Sequence, residues 1–302
     1  MTVQRVFLLL VAIHLVLLGG RALQAQETTS FYVEAETRGV YSSRAVVDGD
    51  AIESSGVGAS LETGFEWRKG RTAVQFDLGA EIFDFTNEDR DTRKSLRAVA
   101  AIAHEVVPDV TVSVAAGHWD GIVTLESLDT KQDAVALDVT IENRPHRVGA
   151  SAQYRAREYA GARPSTGEGM RFDADYTYRL GSWHWARLDL RAEDIDSAHP
   201  RRGYERHTVR GSYSVPLDRA KRWRLRPQIE WQRWEYDGRR VLDTAGGALR
   251  KDSYVAPELG LSYGKSSGVK ARLRAAWQFR RSNDPRYRED APFVDLRLGY
   301  RF

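Results

Sequence analysis

Arginine recurs at alternate positions through the second half of the chain, as in Arg155 and Arg157 or Arg272 and Arg274. Residues two apart in an extended strand point to the same side, so such pairs present their guanidinium groups together. The planar guanidinium binds carboxylates and phosphates through two parallel hydrogen bonds. We therefore expect a basic wall that attracts anions, formed by Arg155, Arg157, Arg187, Arg191, Arg210, Arg226, Arg272, Arg274 and Arg297.

Acidic residues occupy alternate positions near the start of the chain. This set consists of Glu34, Glu36, Glu62, Glu66, Asp77 and Glu81. Facing the basic wall across water, it would set up a transverse field that orients polar solutes. The alternative is a closed interior, in which carboxylates such as Asp173, Asp189 and Glu230 neutralise the arginines through salt bridges.

The elements that must position these residues are β-strands, because apolar and polar residues alternate along almost the whole chain. Residues 57–67 and 74–82 are clear examples. We predict an all-β chain of about fourteen strands, within a range of roughly 12 to 16. Most segments are roughly nine to eleven residues long, which is enough for a tilted strand to cross a bilayer.

Short and long connections alternate between these segments. The short ones are "RKGR" (68–71), "VPD" (107–109), "NRPH" (143–146), "LGSW" (180–183), "LDRAKR" (217–222) and "GKSSG" (264–268). Longer polar stretches such as "EDIDSAHPRRGYE" lie between them. Short turns at one end and longer loops at the other are typical of outer-membrane barrels.

The faces of the strands distinguish a membrane barrel from a soluble β-protein. A soluble sandwich buries its apolar face, whereas a membrane barrel turns that face to lipid and its charges to a lumen. Many apolar faces here carry small residues, such as Ala98, Ala100 and Ala150, which would pack a soluble core poorly. We therefore predict a transmembrane up-and-down antiparallel β-barrel over residues 26–302. Fourteen strands enclose more width than eight, which favours an open lumen.

Residues 1–25 have the layout of a secretory signal peptide. Arg5 precedes an apolar run from Val6 to Leu18, and small residues follow up to Ala25. A permanent N-terminal anchor helix is the alternative, although the run is short for a membrane span. The chain has no cysteine, which excludes disulfide bonds and cysteine-ligated metal sites. We expect an exported protein.

The segment "LRLGYRF" (296–302) carries a resemblance to Gram-negative outer-membrane β-barrel proteins, including monomeric porins of about fourteen strands. Leu296, Leu298, Tyr300 and Phe302 alternate as in the signal that the barrel assembly machinery recognises in that class. The resemblance implies an outer-membrane location with lipid and lipopolysaccharide around the barrel. An even number of strands would place both termini in the periplasm. Residues 280–302 also resemble the C-terminal barrels of surface-export and exopolysaccharide-secretion proteins.

Aromatic residues fall near both ends of the predicted strands. Trp67, Trp183, Trp185, Trp223, Tyr263 and Phe302 lie at turn ends, and Phe85, Trp119, Tyr159, Trp234, Tyr236 and Phe279 lie near loop ends. Transmembrane barrels carry lipid-facing aromatic girdles at both membrane interfaces. We expect two such girdles here.

The sequence predicts no enzyme, cofactor or metal site. His118 and Asp120 could form a pair at the rim, but they match no nucleophile motif. The acidic stretch "NEDRDTRK" (87–94) lacks the spacing of a calcium loop. Basic runs in the loops would lie beside anionic lipopolysaccharide, so we expect no nucleic-acid partner.

The function that these patterns favour is passive diffusion of small polar, anionic solutes through an arginine-rich lumen. The alternatives are the barrel component of a surface-export or exopolysaccharide-secretion system, and a plugged structural barrel. The stretch "HWDGIVTLESLDTKQD" (118–133) is long enough to fold inward and narrow the lumen.

Overall fold

The computed structural model describes residues 27–47, 51–86, 91–125, 127, 129–160, 164–181, 183–241, 247–264 and 267–302. Residues 1–25, predicted to form a signal peptide, lie outside this range. The strands are β1 (Glu27–Val47), β2 (Ala51–Lys69), β3 (Thr72–Phe85), β4 (Arg93–Val107), β5 (Val110–Ile122), β6 (Thr130–Asn143), β7 (His146–Tyr159), β8 (Ser165–Leu180), β9 (His184–Ser197), β10 (Tyr204–Pro216), β11 (Trp223–Arg240), β12 (Leu249–Tyr263), β13 (Gly268–Ser282) and β14 (Asp290–Arg301). A short 3₁₀ turn, Pro285–Tyr287, precedes β14.

Each strand pairs with its neighbours in sequence, and β1 pairs antiparallel with β14 to close a barrel. The register of this closing pair runs from Glu34 opposite Arg301 to Ser42 opposite Phe293. The predicted barrel and its fourteen strands are confirmed. The predicted strand lengths are wrong, because the strands run from 12 residues in β14 to 21 in β1. About ten tilted residues cross the bilayer, so the longer strands extend beyond the hydrocarbon layer.

The short connections lie where the sequence predicted them, at one end of the barrel, which we call the turn end. The opposite end is the loop end. Two turn residues, Asp109 (φ 69°) and Lys221 (φ 56°), adopt the left-handed conformation that tight reversals require. Gly70 and Gly181 do the same at φ 58° and 72°.

Apolar side chains on the strands point outward and charged side chains point inward. Val57 and Leu61 are 64% and 53% exposed, while Glu193 and Asp295, on inward faces, are 2% and 1% exposed. This is the reverse of a soluble β-protein and fits a barrel surrounded by lipid. Most of the buried apolar residues form two groups inside the barrel, one around Trp234 and one around Phe83.

The four residues of the predicted assembly signal all lie on the outward face of β14 or directly after it. Leu298 is 51% exposed and Phe302 is 73% exposed. The rings of Tyr300 and Phe302 lie 4.6 Å apart, and the Phe302 N–H donates a hydrogen bond to the Val33 carbonyl at 2.9 Å. These residues are thus available from outside the barrel, as recognition by another protein requires.

Two adjacent residues of β2 test the orientation of the faces. We expect Leu61→Arg, which places a charge toward lipid, to lower the free energy of unfolding by about 2–4 kcal/mol. Ser60→Arg, toward the lumen beside Glu36 and Glu81, should cost far less. Urea titration in lipid vesicles measures both variants. Equal losses would contradict the assigned faces.

Candidate functional site

The lumen brings both predicted charged sets to the interior of the barrel. A cavity of about 530 Å³, which we call the mid-lumen cavity, is lined from the acidic side by Glu36, Glu62 and Glu81. Arg155 and Arg157 line it from the basic side, together with Arg171. Because β2 and β9 are seven strands apart in a closed ring of fourteen, these walls face each other.

Local partners neutralise much of the acidic wall. Lys270 Nζ lies 2.6 Å from Glu34, and Arg297 lies 3.5 Å from Glu36. These partners come from β13 and β14, which the closure of the barrel brings beside β1. The wall is therefore less negative than its own residues suggest.

The remaining acids find partners on β1 to β4. Arg97 lies 2.8 Å from Glu62, and Arg93 lies 3.3 Å from Glu81. The Tyr32 hydroxyl lies 2.7 Å from both Glu62 and Asp77. At the turn end, Arg68 lies 3.1 Å from Glu66. The sequence analysis overlooked Arg93 and Arg97, whose inward position follows from the alternation in β4.

Most of the predicted basic wall is also paired. Arg187 Nε lies 2.6 Å from Asp189, Arg191 Nε lies 2.8 Å from Asp173, and Arg274 contacts both oxygens of Glu258 at 2.9 Å. Further pairs in this set join Arg210 to Glu230 and Arg297 to Asp295. The alternative of a salt-bridged wall is thus realised along much of β8 to β14.

Five polar residues form a buried cluster toward the loop end: Glu193, Arg155, Arg157, Arg206 and Tyr204. Glu193 accepts hydrogen bonds from Arg155 at 3.0 Å, from Arg157 at 3.2 Å, from the Tyr204 hydroxyl at 2.6 Å and from Arg206. All five residues are almost fully buried. One carboxylate thus balances part of the charge of three arginines in a place where water has little access. Removing this carboxylate would leave buried positive charge, which is strongly destabilising.

Aromatic residues and one loop pack beside the buried cluster. Leu125, in the loop between β5 and β6, packs with Trp234, Tyr236, Tyr254 and Ile195. Arg239 donates a hydrogen bond to the Leu125 carbonyl at 3.3 Å. The loop therefore folds inward, as its length allowed, and this side of the lumen is filled at the loop end.

The predicted aromatic girdle at the loop end is largely wrong. Trp119, Tyr159, Trp234 and Tyr236 point into the lumen, as does Phe85, which packs on Phe83. Phe279, 42% exposed, points outward. At the turn end, Trp67, Trp183, Trp223, Tyr263 and Phe302 suit a girdle, but Trp185 faces the lumen beneath Arg226. Counting alternate positions from the charged residues of the same strands would have revealed these orientations.

An arginine cluster lies at the turn end of the lumen: Arg222, Arg224, Arg226 and Arg272. None of the four has a carboxylate within 4.0 Å among the described residues. The Arg226 guanidinium lies 4.8 Å from the Trp185 ring, and the charges that act on it are those of Arg272 and Arg187, of the same sign, and of Glu258 and Asp189, of opposite sign. Arg224 contacts only the Ser214 hydroxyl, at 3.4 Å, in the described part of the chain.

Two cavities of the lumen share lining residues near the arginine cluster. A smaller cavity of about 180 Å³, the turn-end cavity, is lined by Arg222, Arg224 and Arg272. Glu36 and Arg297 line both cavities. The mid-lumen cavity in turn reaches Val123 and Thr124 in the inward-folded loop. The two cavities are therefore neighbours in the lumen, and the mid-lumen cavity extends from β1 and β14 across to β7 and β8.

The predicted rim residues His118 and Asp120 do not pair with each other. His118 Nδ1 lies 2.7 Å from Asp133 rather than pairing with Asp120, and both side chains are exposed. Asp120 lies 3.9 Å from Lys131. The described residues contain no group of three His, Asp or Glu side chains placed to hold a metal ion. No helix within the described part of the chain is long and apolar enough to cross a membrane.

Solved structures of similar shape are outer-membrane proteins. A bacterial polysaccharide outer membrane secretin is 11% identical, with 93% of this chain and 100% of that chain covered and a TM-score of 0.58. The outer-membrane expressed OmpT of Vibrio cholerae is 11% identical, covering 93% and 100%, with a TM-score of 0.55. The fold is that of an outer-membrane β-barrel.

An anion-selective porin from Comamonas acidovorans shares this fold, at 11% identity, with 92% and 100% of the two chains covered and a TM-score of 0.52. No family model and no curated protein sequence matches the chain. At these identities the likeness concerns the fold, so the chemistry of the lumen must be argued from its own residues.

Glu193 is the residue on which the buried cluster depends. We expect the isosteric change Glu193→Gln to lower the free energy of unfolding by about 3–5 kcal/mol, because the negative charge that three buried arginines share is removed. Asp290→Asn, which removes the exposed partner of Arg281, should cost about 0–1 kcal/mol. Denaturant titration in vesicles compares the two. A loss at Glu193 no larger than that at Asp290 would contradict the assigned role.

Proposed function

We propose that this chain is an outer-membrane channel for the passive diffusion of small polar, anionic solutes, with both termini in the periplasm. The arginine cluster is the observation that carries the proposal. Arg222, Arg224 and Arg272 line the turn-end cavity, and no member of the cluster has a carboxylate within 4.0 Å among the described residues, so this charge remains available to a solute. Arginines that are already paired contribute less.

The register of the strands spaces the arginine cluster for binding anions. Arg224 and Arg272 both lie opposite Ser262 of β12, one on each side. Two strand spacings separate them, about 10 Å, which leaves a gap above a small side chain. A carboxylate or phosphate in this gap could bridge two guanidinium groups, each through parallel hydrogen bonds.

Two neighbouring cavities, which share Glu36 and Arg297 in their linings, support passage rather than mere binding. A solute that enters at the turn end meets the arginine cluster first and then the mid-lumen cavity. There, paired Arg and Glu residues offer many weaker contacts in place of one deep site. Conduction needs such binding, favourable enough for entry and weak enough for release.

Planar-bilayer recording in a potassium chloride gradient tests the proposal. We expect single-channel currents whose reversal potential shows preference for chloride. Replacing Arg224, Arg226 and Arg272 together with Gln should lower the chloride-to-potassium permeability ratio by at least about threefold, because the local positive field is lost.

The matched control is Arg274→Gln combined with Glu258→Gln. This double variant removes a bidentate pair nearby while leaving the net charge of the lumen unchanged. Its permeability ratio should stay close to that of the original protein. An unchanged ratio in the triple variant would refute the arginine cluster as the selectivity element.

A plugged structural barrel is the second candidate, favoured by the buried cluster and by Leu125 in the inward-folded loop. The same recordings separate the two candidates. A complete lack of conductance at every voltage and pH would overturn the channel and support the plugged barrel.

A further inference from the structure

Trp119 occupies an unusual place on the lumen wall. The six-membered ring of its indole lies where a side chain on Gly117 would stand, with a Cβ there only 2.4–2.6 Å from two ring carbons. Glycine at position 117 therefore lets the indole lie back along β5. Trp119 also lines the mid-lumen cavity.

Among the inward-facing aromatic side chains of the described residues, Trp119 alone has neither an arginine nor a second ring against its face. Trp185 lies beneath Arg226, Trp234 beneath Arg280, and Tyr32 beneath Arg301. The other inward-facing rings likewise contact an arginine or a second ring, as in the pair of Phe83 and Phe85. Neither contact is present at Trp119 within the described part of the chain. Its surface is thus available to a solute.

Polar groups flank Trp119 in one lateral row across four strands. Arg97 lies opposite Trp119 on β4, Gln132 lies opposite it on β6, and Arg157 lies opposite Gln132 on β7. The Gln132 side-chain oxygen accepts a hydrogen bond from Arg157 Nε at 2.9 Å, which leaves its NH₂ group as a donor. Arg97 extends over Gly79 to Glu62 and remains 39% exposed.

We propose that Arg97, Trp119 and Gln132 form a binding subsite for a sugar ring that carries a carboxylate. The inference rests on the proposed channel and names the class of anionic solute it would take. The apolar face of a pyranose ring would lie against the indole, in the way that apolar C–H groups pack on aromatic faces. Arg97 contacts Glu62 through Nη2 alone, so its remaining N–H groups would bind the carboxylate, and Gln132 and Glu62 would hydrogen-bond the hydroxyls.

The polarity of the cavity favours a sugar acid over an aromatic acid. Besides the charged groups, Ser60, Ser95, Thr124, Gln132 and Gln153 line the same space. An aromatic carboxylate would displace water from these groups without replacing its hydrogen bonds, which costs free energy at each one. A ring with several hydroxyl groups can replace them. Ligand sites of this kind combine an apolar surface with a few placed polar groups.

Isothermal titration calorimetry of the detergent-solubilised full chain tests the subsite, with trigalacturonate as the probe. We expect the original protein to bind trigalacturonate. Trp119→Ala should raise the dissociation constant by at least about tenfold. Trp119→Phe, which keeps a ring, should retain more of the affinity. Gly117→Ala should weaken binding too, because the new methyl group displaces the indole.

Trp277→Ala is the matched control, since Trp277 faces outward and is 49% exposed. It should bind trigalacturonate like the original protein, and heat-modifiable gel migration checks that each variant is folded. Neutral maltotriose and the aromatic acid benzoate should bind far more weakly than the sugar acid. Equal binding by Trp119→Ala, equal binding of maltotriose or benzoate, or no binding at all would overturn the subsite.

Calorimetry needs no ion current, so it separates this subsite from the proposed channel. Trp119-dependent binding without any conductance would overturn the channel and retain the subsite. Anion-selective currents without Trp119-dependent binding would overturn the subsite and retain the channel.

Discussion

The pairing of β14 with β1 is the interaction on which the rest of the structure depends. Lipid offers no partner to an unpaired backbone N–H or C=O, so a sheet can cross a membrane only when it has no free edge. Closure satisfies this condition and also creates the lumen. It brings Lys270, Arg297 and Arg301 beside Glu34 and Glu36, so groups more than 200 residues apart become electrostatic neighbours.

The lumen that closure creates is divided along its length rather than uniformly open. On the side of β7 to β12, Glu193 and its arginines pack with Trp234 and Leu125 and fill the loop end. Open space remains in the turn-end cavity and in the mid-lumen cavity, which reaches the inward-folded loop. The arginine cluster stands at the turn end of this space, and Trp119 lies farther along it. We propose that the first selects solutes by charge and the second recognises the shape of a ring.

Much of this architecture follows from local sequence rules, and the failures have physical causes. Alternation and turn positions predicted the strands, because both depend on neighbouring residues alone. The inward orientation of Trp119 and Trp234 was also encoded in the alternation, but girdle statistics for lipid-facing aromatics were given more weight. The buried cluster could not be predicted, since it joins Arg155, Glu193 and Arg206 from three strands whose vertical offset only the barrel register defines. The same register also decides which arginines in the lumen keep an unpaired charge.

The account's central claim, an open and anion-preferring passage beside the arginine cluster, can be measured directly because the chain has no cysteine. A single Ser262→Cys substitution places a thiol between Arg224 and Arg272, and Leu261→Cys places one on the lipid-facing side. We predict that an anionic, membrane-impermeant methanethiosulfonate modifies the thiol at position 262 several times faster than a cationic one of similar size. The positive field of the arginine cluster should raise the local concentration of the anionic reagent. Cys at 261 should react with neither. Protection of the thiol at 262 from both reagents, or faster reaction with the cationic one, would contradict the account.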